Sequence, residues 1–278
     1  MSEILKDFPE DDYHANAGSD IPLFSYSVAK TIVQKSAYHA WLEHPLLGGK
    51  EKQQSPSMDR GNIIHDLLLG GDLKVEIIQA ENYRTNAAKE QRDRAYAEGK
   101  TPILEFEYEN VIKIVKIAKV QIMEYAPYFF KDHESELTVR WDFQGVKTQS
   151  RFDWINPNGG RIIDLKTTSQ SISPDGLQRK IQDMGYDIQA ALYTECSNQT
   201  WPDMAGRFDF EFIFIETEDP YLVSVVSLDG SYMWLGEAKG NRAAGIWSDC
   251  LSSGKWPAYG RYTVDAPAWA VNKEELIT

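Results

Sequence analysis

Residues 151–168 read RFDWINPNGGRIIDLKTT, two β-forming apolar runs separated by Asn156, Pro157, Asn158, Gly159 and Gly160. Asn, Pro and Gly in that density reverse a chain tightly, so the stretch predicts two antiparallel strands joined by a short turn. The reversal brings Asp153 beside Asp164 and Lys166. On the second strand Asp164 and Lys166 are two residues apart, and strand alternation sends both to one face while Leu165 points into the core. Two carboxylates and a lysine then converge. A hard divalent cation absorbs the excess negative charge of such a group, and carboxylate oxygens are the ligands that Mg²⁺ or Mn²⁺ prefer. A strand edge bearing a solvated ion pair is the plainer alternative.

Working outward, residues 137–143 (LTVRWDF) and 145–154 (GVKTQSRFDW) form an alternating hairpin that feeds Asp153. Glu136 and Glu134 lie at its start, and Glu136 sits directly against the strand. Ser25–Leu42 and Met58–Leu69 carry apolar residues at helical spacing, and the second places Gly61 and His65 four residues apart on one face. Glu81–Lys100 predicts a charged helix, either a solvated ion-paired face or a basic one through Arg84, Lys89 and Arg92. Glu105–Tyr125 predicts a long packing helix. After the D-x-K strand, Thr167 and Thr168 open a polar loop suited to a phosphodiester backbone or to capping the next helix. That helix, about Leu177 to Cys196, has a stripe of Met184, Ile188, Leu192 and Cys196, with Gln189 and Tyr193 on the adjoining face. Two strands around Asp219-Pro220 and a helix from Tyr232 to Leu251 follow. The aromatic tail with Trp256, Tyr259 and Trp269 packs on the body or meets a partner.

Asp153, ten residues, then Asp164-Leu165-Lys166 resembles the D…(D/E)-x-K core of the PD-(D/E)XK nuclease superfamily, although Phe152 replaces the proline that names the motif. Gly61-Asn62-Ile63-Ile64-His65 resembles the GxxxH motif of its RecB-like branch. Gln189-Ala190-Ala191-Leu192-Tyr193 resembles the QxxxY motif, and all three stand in family order. The wording around them, DYHA, YRTNAAKEQRDRAYAEGKTPIL, DLKTT and WPAYG, resembles the exonuclease VIII-like exonucleases of phages and prophages. The resemblance implies an α/β fold, a central mixed β-sheet flanked by helices with extra N-terminal helices. It also implies a metal-dependent exonuclease acting on double-stranded DNA ends, 5′ to 3′, leaving single strand for a single-strand annealing recombinase. A ring-like trimer or tetramer belongs to the same picture. His65, Glu136, Asp153, Asp164 and the main-chain carbonyl of Leu165 would hold the metal. Lys166 would position or deprotonate water, Gln189 and Tyr193 would reach a phosphate or orient Lys166, and Arg84, Lys89, Arg92, Thr167 and Thr168 would contact DNA. Another polarity, endonuclease action, or a silent DNA-binding or assembly protein are the other readings. The silent one has no use for all three charges of Asp153, Asp164 and Lys166.

Composition sets limits. With 278 residues, 42% hydrophobic, the chain can bury one substantial core, so a single domain over residues 21–278 behind an acidic, poorly ordered arm (1–20) is expected. No basic start precedes an apolar run, and no stretch of about 18 apolar residues offers a membrane span, which points to the cytoplasm. Cys196 and Cys250 make neither a CxxC nor a His/Cys cluster, the pattern of reduced thiols rather than zinc or iron–sulfur ligands. A net charge of −13 excludes a surface basic all round. It leaves room for a basic path inside an acidic exterior.

Overall fold

In a computed structural model, which describes residues 2–50, 54–268 and 270–271, the strands of the quoted stretch stand at the centre of a six-stranded sheet. β5 (Val146–Asn156) and β6 (Arg161–Thr168) are antiparallel. Between them Asn156 Oδ1 accepts the Gly159 N–H at 2.7 Å and Gly160 adopts φ +62°, which glycine tolerates without a Cβ penalty. β4 (Glu134–Phe143) is the hairpin partner of β5, and β7 (Asp209–Glu216) lies parallel to β6. β8 (Val223–Ser227) and β1 (Glu3–Leu5) close the edges, giving the order β1-β4-β5-β6-β7-β8. One parallel pair among antiparallel ones, with helices on both faces, is the expected mixed α/β sheet.

A parallel pair needs a long crossover. Here α7 (Pro174–Met184) and α8 (Tyr186–Thr200) supply it. Strand alternation then builds two cores. Ile162, Phe212 and Phe214 face α8, α2 (Tyr26–Gln34) and α9 (Gly230–Ser253), around Phe24, Phe152 and Trp247. Ile163, Leu165 and Ile213 face α4 (Pro56–Leu69) and α6 (Glu105–Tyr125), with Ile63, Ile114 and Trp154. Neighbouring residues of β6 therefore go to opposite cores.

Several expectations need correction. The helix read over 25–42 is two, α2 and α3 (Ala37–Glu43), because Ser36 leaves the helical region and caps α3 by accepting the His39 N–H. The helix read over 177–196 is also two. Gly185, at φ +66°, ends α7 before α8 begins, so Met184 leaves the proposed stripe and is exposed. Residues 81–100 are helical only over α5 (Asn86–Ala97), capped by Thr85. That helix links a small parallel pair, β2 (Val75–Ile78) and β3 (Thr101–Leu104), which was not expected. The N-terminal arm is tied down. β1 pairs with β4, α1 (Glu10–Ala15) follows, and the Arg140 guanidinium donates to the carbonyls of Ala17 and Gly18. Trp269 lies outside the described residues. Among those residues no helix is long and apolar enough to cross a membrane.

Helices α8 and α9 pack through small residues. A Cβ on Gly236 would stand 2.0 Å from the Asp187 carbonyl oxygen, whereas one on Gly240 would meet Leu192 at an ordinary 3.6 Å. Gly236→Ala is therefore expected to destabilise by about 3 kcal/mol or more, since backbone cannot yield as a side chain does. Gly240→Ala should be neutral or gain up to about 1 kcal/mol of helix propensity. Equal denaturant midpoints for the two variants would contradict this packing.

Candidate metal centre

The β5–β6 ladder runs from Asn156↔Arg161 to Trp154↔Ile163 and stops. One step further Asp153 and Asp164 would face each other, and there the strands part: β5 continues with β4, β6 with β7. Asp153 takes over a ladder bond, its Oδ2 accepting the Leu165 N–H at 2.9 Å. Because a strand residue presents its N–H and C=O to the same side, the Leu165 carbonyl faces this gap too. On β4, Glu136 sits opposite Asp153 with a left-handed φ of +54°. Non-glycine residues rarely accept that conformation, and it concentrates at functional sites.

Helix α4 brings His65 over the gap. A Cβ on Gly61, one turn earlier, would stand 3.1 Å from Thr167 Oγ1, a tight approach that glycine avoids where the helix lies against β6. His65 Nε2 is 2.7 Å from Asp153 Oδ2 and its Nδ1 is 3.3 Å from Glu136 Oε1. These three residues can place one ligand atom each within 4.8 Å of one another. Of the two glutamates weighed from sequence, Glu136 is the one in this group, while Glu134 pairs with Lys6 at 2.9 Å. Beside them Asp164, 1% exposed, accepts from Gln189 Nε2 at 2.5 Å and lies 2.5 Å from Lys166 Nζ. Lys166 meets its Oδ2 and Gln189 its Oδ1. A cleft of about 330 Å³ opens here, lined by Ser57, Gly61, Asn62, His65, Lys166 and Thr167 among others.

The electrostatics follow from crowding. Burial, reinforced by Asp153, pushes the Asp164 carboxyl up to about 7. Burial works against the charged forms of His65 and Asp153 as well, but their mutual attraction outweighs it, holding the imidazole well above its ordinary range and the carboxyl below. Burial would also lower Lys166, yet Asp164, Tyr186 and Asp153 keep it raised. Its ammonium stands 5.0 Å from the centre of the Tyr186 ring. The donor set, one imidazole and the Glu136 and Asp153 carboxylates within 4.8 Å of one another with Asp164 beside them, fits a hard divalent cation.

Other site residues are placed less uniformly. Tyr193 is buried with its ring 5.0 Å from Phe152, so of the Gln189 and Tyr193 pair it is Gln189 that bonds Asp164, while the ring beside Lys166 is that of Tyr186. Thr168 is bonded to Lys180. Arg84 precedes α5 and Lys89 lies on it, both exposed, and Tyr96 ties that helix to α4 by donating to Asp59. Arg92 is held by Asp93 at 2.7 Å over the Tyr83 ring. Arg151, given no role from sequence, donates through Nε to Glu136 Oε2 at 2.7 Å and through Nη1 to the Phe8 carbonyl. Its place two residues before Asp153 on one strand was the available signal.

A mixed sheet that opens between its central strands, with D…D-x-K at the opening and a GxxxH helix across it, defines a PDDEXK-like domain. The chain belongs to the family described as PDDEXK-like domain of unknown function (DUF3799), whose model matches residues 25–263. No curated protein matches the chain. Its fold is similar to that of a candidate exonuclease from Eubacterium rectale, at 13% identity over 96% of this chain and 98% of that one, with a TM-score of 0.65. A phage-related exonuclease from Haemophilus somnus 129PT aligns over 87% of this chain and 99% of its own at 14% identity, with a TM-score of 0.36.

Proposed function

We propose that the protein is a divalent-metal-dependent exodeoxyribonuclease that degrades one strand of linear duplex DNA, 5′ to 3′, and leaves single strand for a recombinase. The observation that carries this reading is the gathering of His65, Glu136 and Asp153 beside the Asp164–Lys166 pair where β5 and β6 separate. Family membership and the E. rectale neighbour's designation as an exonuclease support it. Polarity, the ring-like oligomer and the recombinase partner come from the motif-level resemblance.

His65, Glu136, Asp153 and Asp164 would hold Mg²⁺ or Mn²⁺, with the Leu165 carbonyl facing the same space. The ion, when bound, lowers the pKa of a water and offsets phosphate charge. Asp153 fixes the edge of β6 through the Leu165 N–H and orients the His65 ring. Gln189 fixes Asp164, which aims the Lys166 ammonium. Because its neighbours keep Lys166 protonated, its part is to stabilise charge developing on the phosphate rather than to remove a proton from water.

Purified protein with Mg²⁺ or EDTA on linear, nicked and covalently closed DNA, labelled at either end, tests this. The expected result is metal-dependent loss of linear duplex, with 5′ label released first and closed circles intact. Cutting of closed circles, release from 3′ ends first, or cleavage undiminished by EDTA would overturn it.

A further inference from the structure

Two lysines near the centre have no role in the chemistry above. Lys30 on α2 and Lys180 on α7 are both partly buried. Among the described residues neither is ion-paired, and Glu43, the carboxylate that acts on Lys30, is already engaged by Lys35. Burial holds both ammonium groups below their ordinary range, with Lys166 adding to the effect on Lys30. Withdrawing a cation from water without a counter-charge is costly, and an anionic ligand is what offsets it.

Their placement is continuous with the D-x-K strand. Lys180 Nζ donates to Thr168 Oγ1, and Thr168 follows Lys166 by two residues on the same face of β6. Lys30 lies along the α7–α8 break, its Cγ 3.5 Å from where a Gly185 Cβ would stand. The next residue, Tyr186, carries the ring beside Lys166 Nζ. Tyr26, one turn before Lys30, donates to the Met184 carbonyl at 2.7 Å and fixes α2 on the end of α7. Lys30, Lys166 and Lys180 thus gather around the C-terminal half of β6 and the α7–α8 break.

We propose that Lys30 and Lys180, with Thr168, form a phosphate rail that holds the sugar–phosphate backbone of the cut strand beside the scissile position. This rests on the nuclease reading and adds where the rest of that strand runs. An acidic protein needs positive charge only along the path of its polyanion. Phosphate contacts of this kind position the strand without reading its sequence.

Binding of a fluorescent duplex with a single-stranded extension, measured by anisotropy in EDTA across a salt series, tests the rail. Each lost contact to a single strand should lower the slope of log affinity against log salt by about 0.7. Lys30→Met with Lys180→Met should therefore lower it by about 1.4 and weaken binding at low salt by about tenfold or more. Lys30→Arg with Lys180→Arg should keep both near the parent values. Lys180→Gln separates the roles, because it can still bond Thr168 without a charge. A parent slope in Lys180→Gln would mean that Lys180 only supports the loop, and unchanged slopes in the double Met variant would overturn the rail. Mn²⁺ binding and cleavage by the parent report separately on the nuclease reading, so the two can fail independently.

Discussion

Lys166→Met is expected to lower turnover of linear DNA at saturating substrate by about 10³-fold, the scale of losing one preorganised charge-stabilising donor. The fold should survive. Removing the ammonium would normally strand a buried carboxylate, at a cost of several kcal/mol. Asp164 escapes that cost because burial and Asp153 already push its carboxyl up to about 7, so it can take up a proton when its partner is gone. Gln189 still donates to its other oxygen. Metal binding should stay close to the parent value, which separates Lys166 from the ligands. Turnover within tenfold of the parent, with folding intact, would remove Lys166 from the reaction.

The second large effect concerns Asp153. In Asp153→Asn the amide oxygen can still accept the Leu165 N–H, so the edge of β6 is kept while the charge that faces His65 is lost. Substitutions even one shell beyond a metal commonly cost 10–100-fold in affinity, so loss of this carboxylate should weaken Mn²⁺ binding by at least about 100-fold. Cleavage should disappear with it. The parent should also show a proton linkage. Burial disfavours the charged His65 ring, but Asp153 and Glu136 outweigh it and hold its pKa well above the ordinary value. This environment favours the protonated ring, and an ion that takes a ring nitrogen must displace that proton. Mn²⁺ affinity should rise with pH, by up to about tenfold per unit below the raised pKa, with protons released on binding. Calorimetry in buffers of different ionisation enthalpy reads this directly. Parent-like affinity in the Asn variant, or binding that ignores pH, would exclude Asp153 and His65 as ligands.

What could be read from sequence was mostly local. The Asn156–Gly160 turn and the alternation of β6 need only neighbouring residues, and both stand as expected. Glu105–Tyr125 is one helix because nothing interrupts its apolar repeat. The breaks were less legible. Gly185 and Ser36 fit a helical pattern as well as they fit a cap, and only the packing of α8 and α3 decides between them. Tyr186, three residues before Gln189, shares its face whether or not the helix breaks at Gly185, and an aromatic at that spacing carries no signal of its own. Three-residue β1 and four-residue β2 and β3 draw their stability from partner strands, so their own sequences carry little signal.

The site divides the same way. Motif order assembles His65, Asp153, Asp164 and Gln189, and the structure brings these together. Glu136 depends on a backbone irregularity that no residue type announces, since glutamate has no preference for positive φ. Tyr193 shows the limit of motif transfer. Its helical spacing from Gln189 is right, but the ring is taken by the aromatic packing of Phe152 and Phe210.

A crystal of the parent protein grown with Mn²⁺ and measured for anomalous scattering addresses the central claim most directly. A peak bounded by the His65 ring and the Asp153 carboxylate, within about 2.0–2.6 Å of their ligand atoms and beside Asp164, is the predicted result. Clear density for those side chains with no peak between them, while the ion saturates the protein in solution, would place the metal elsewhere and contradict the account.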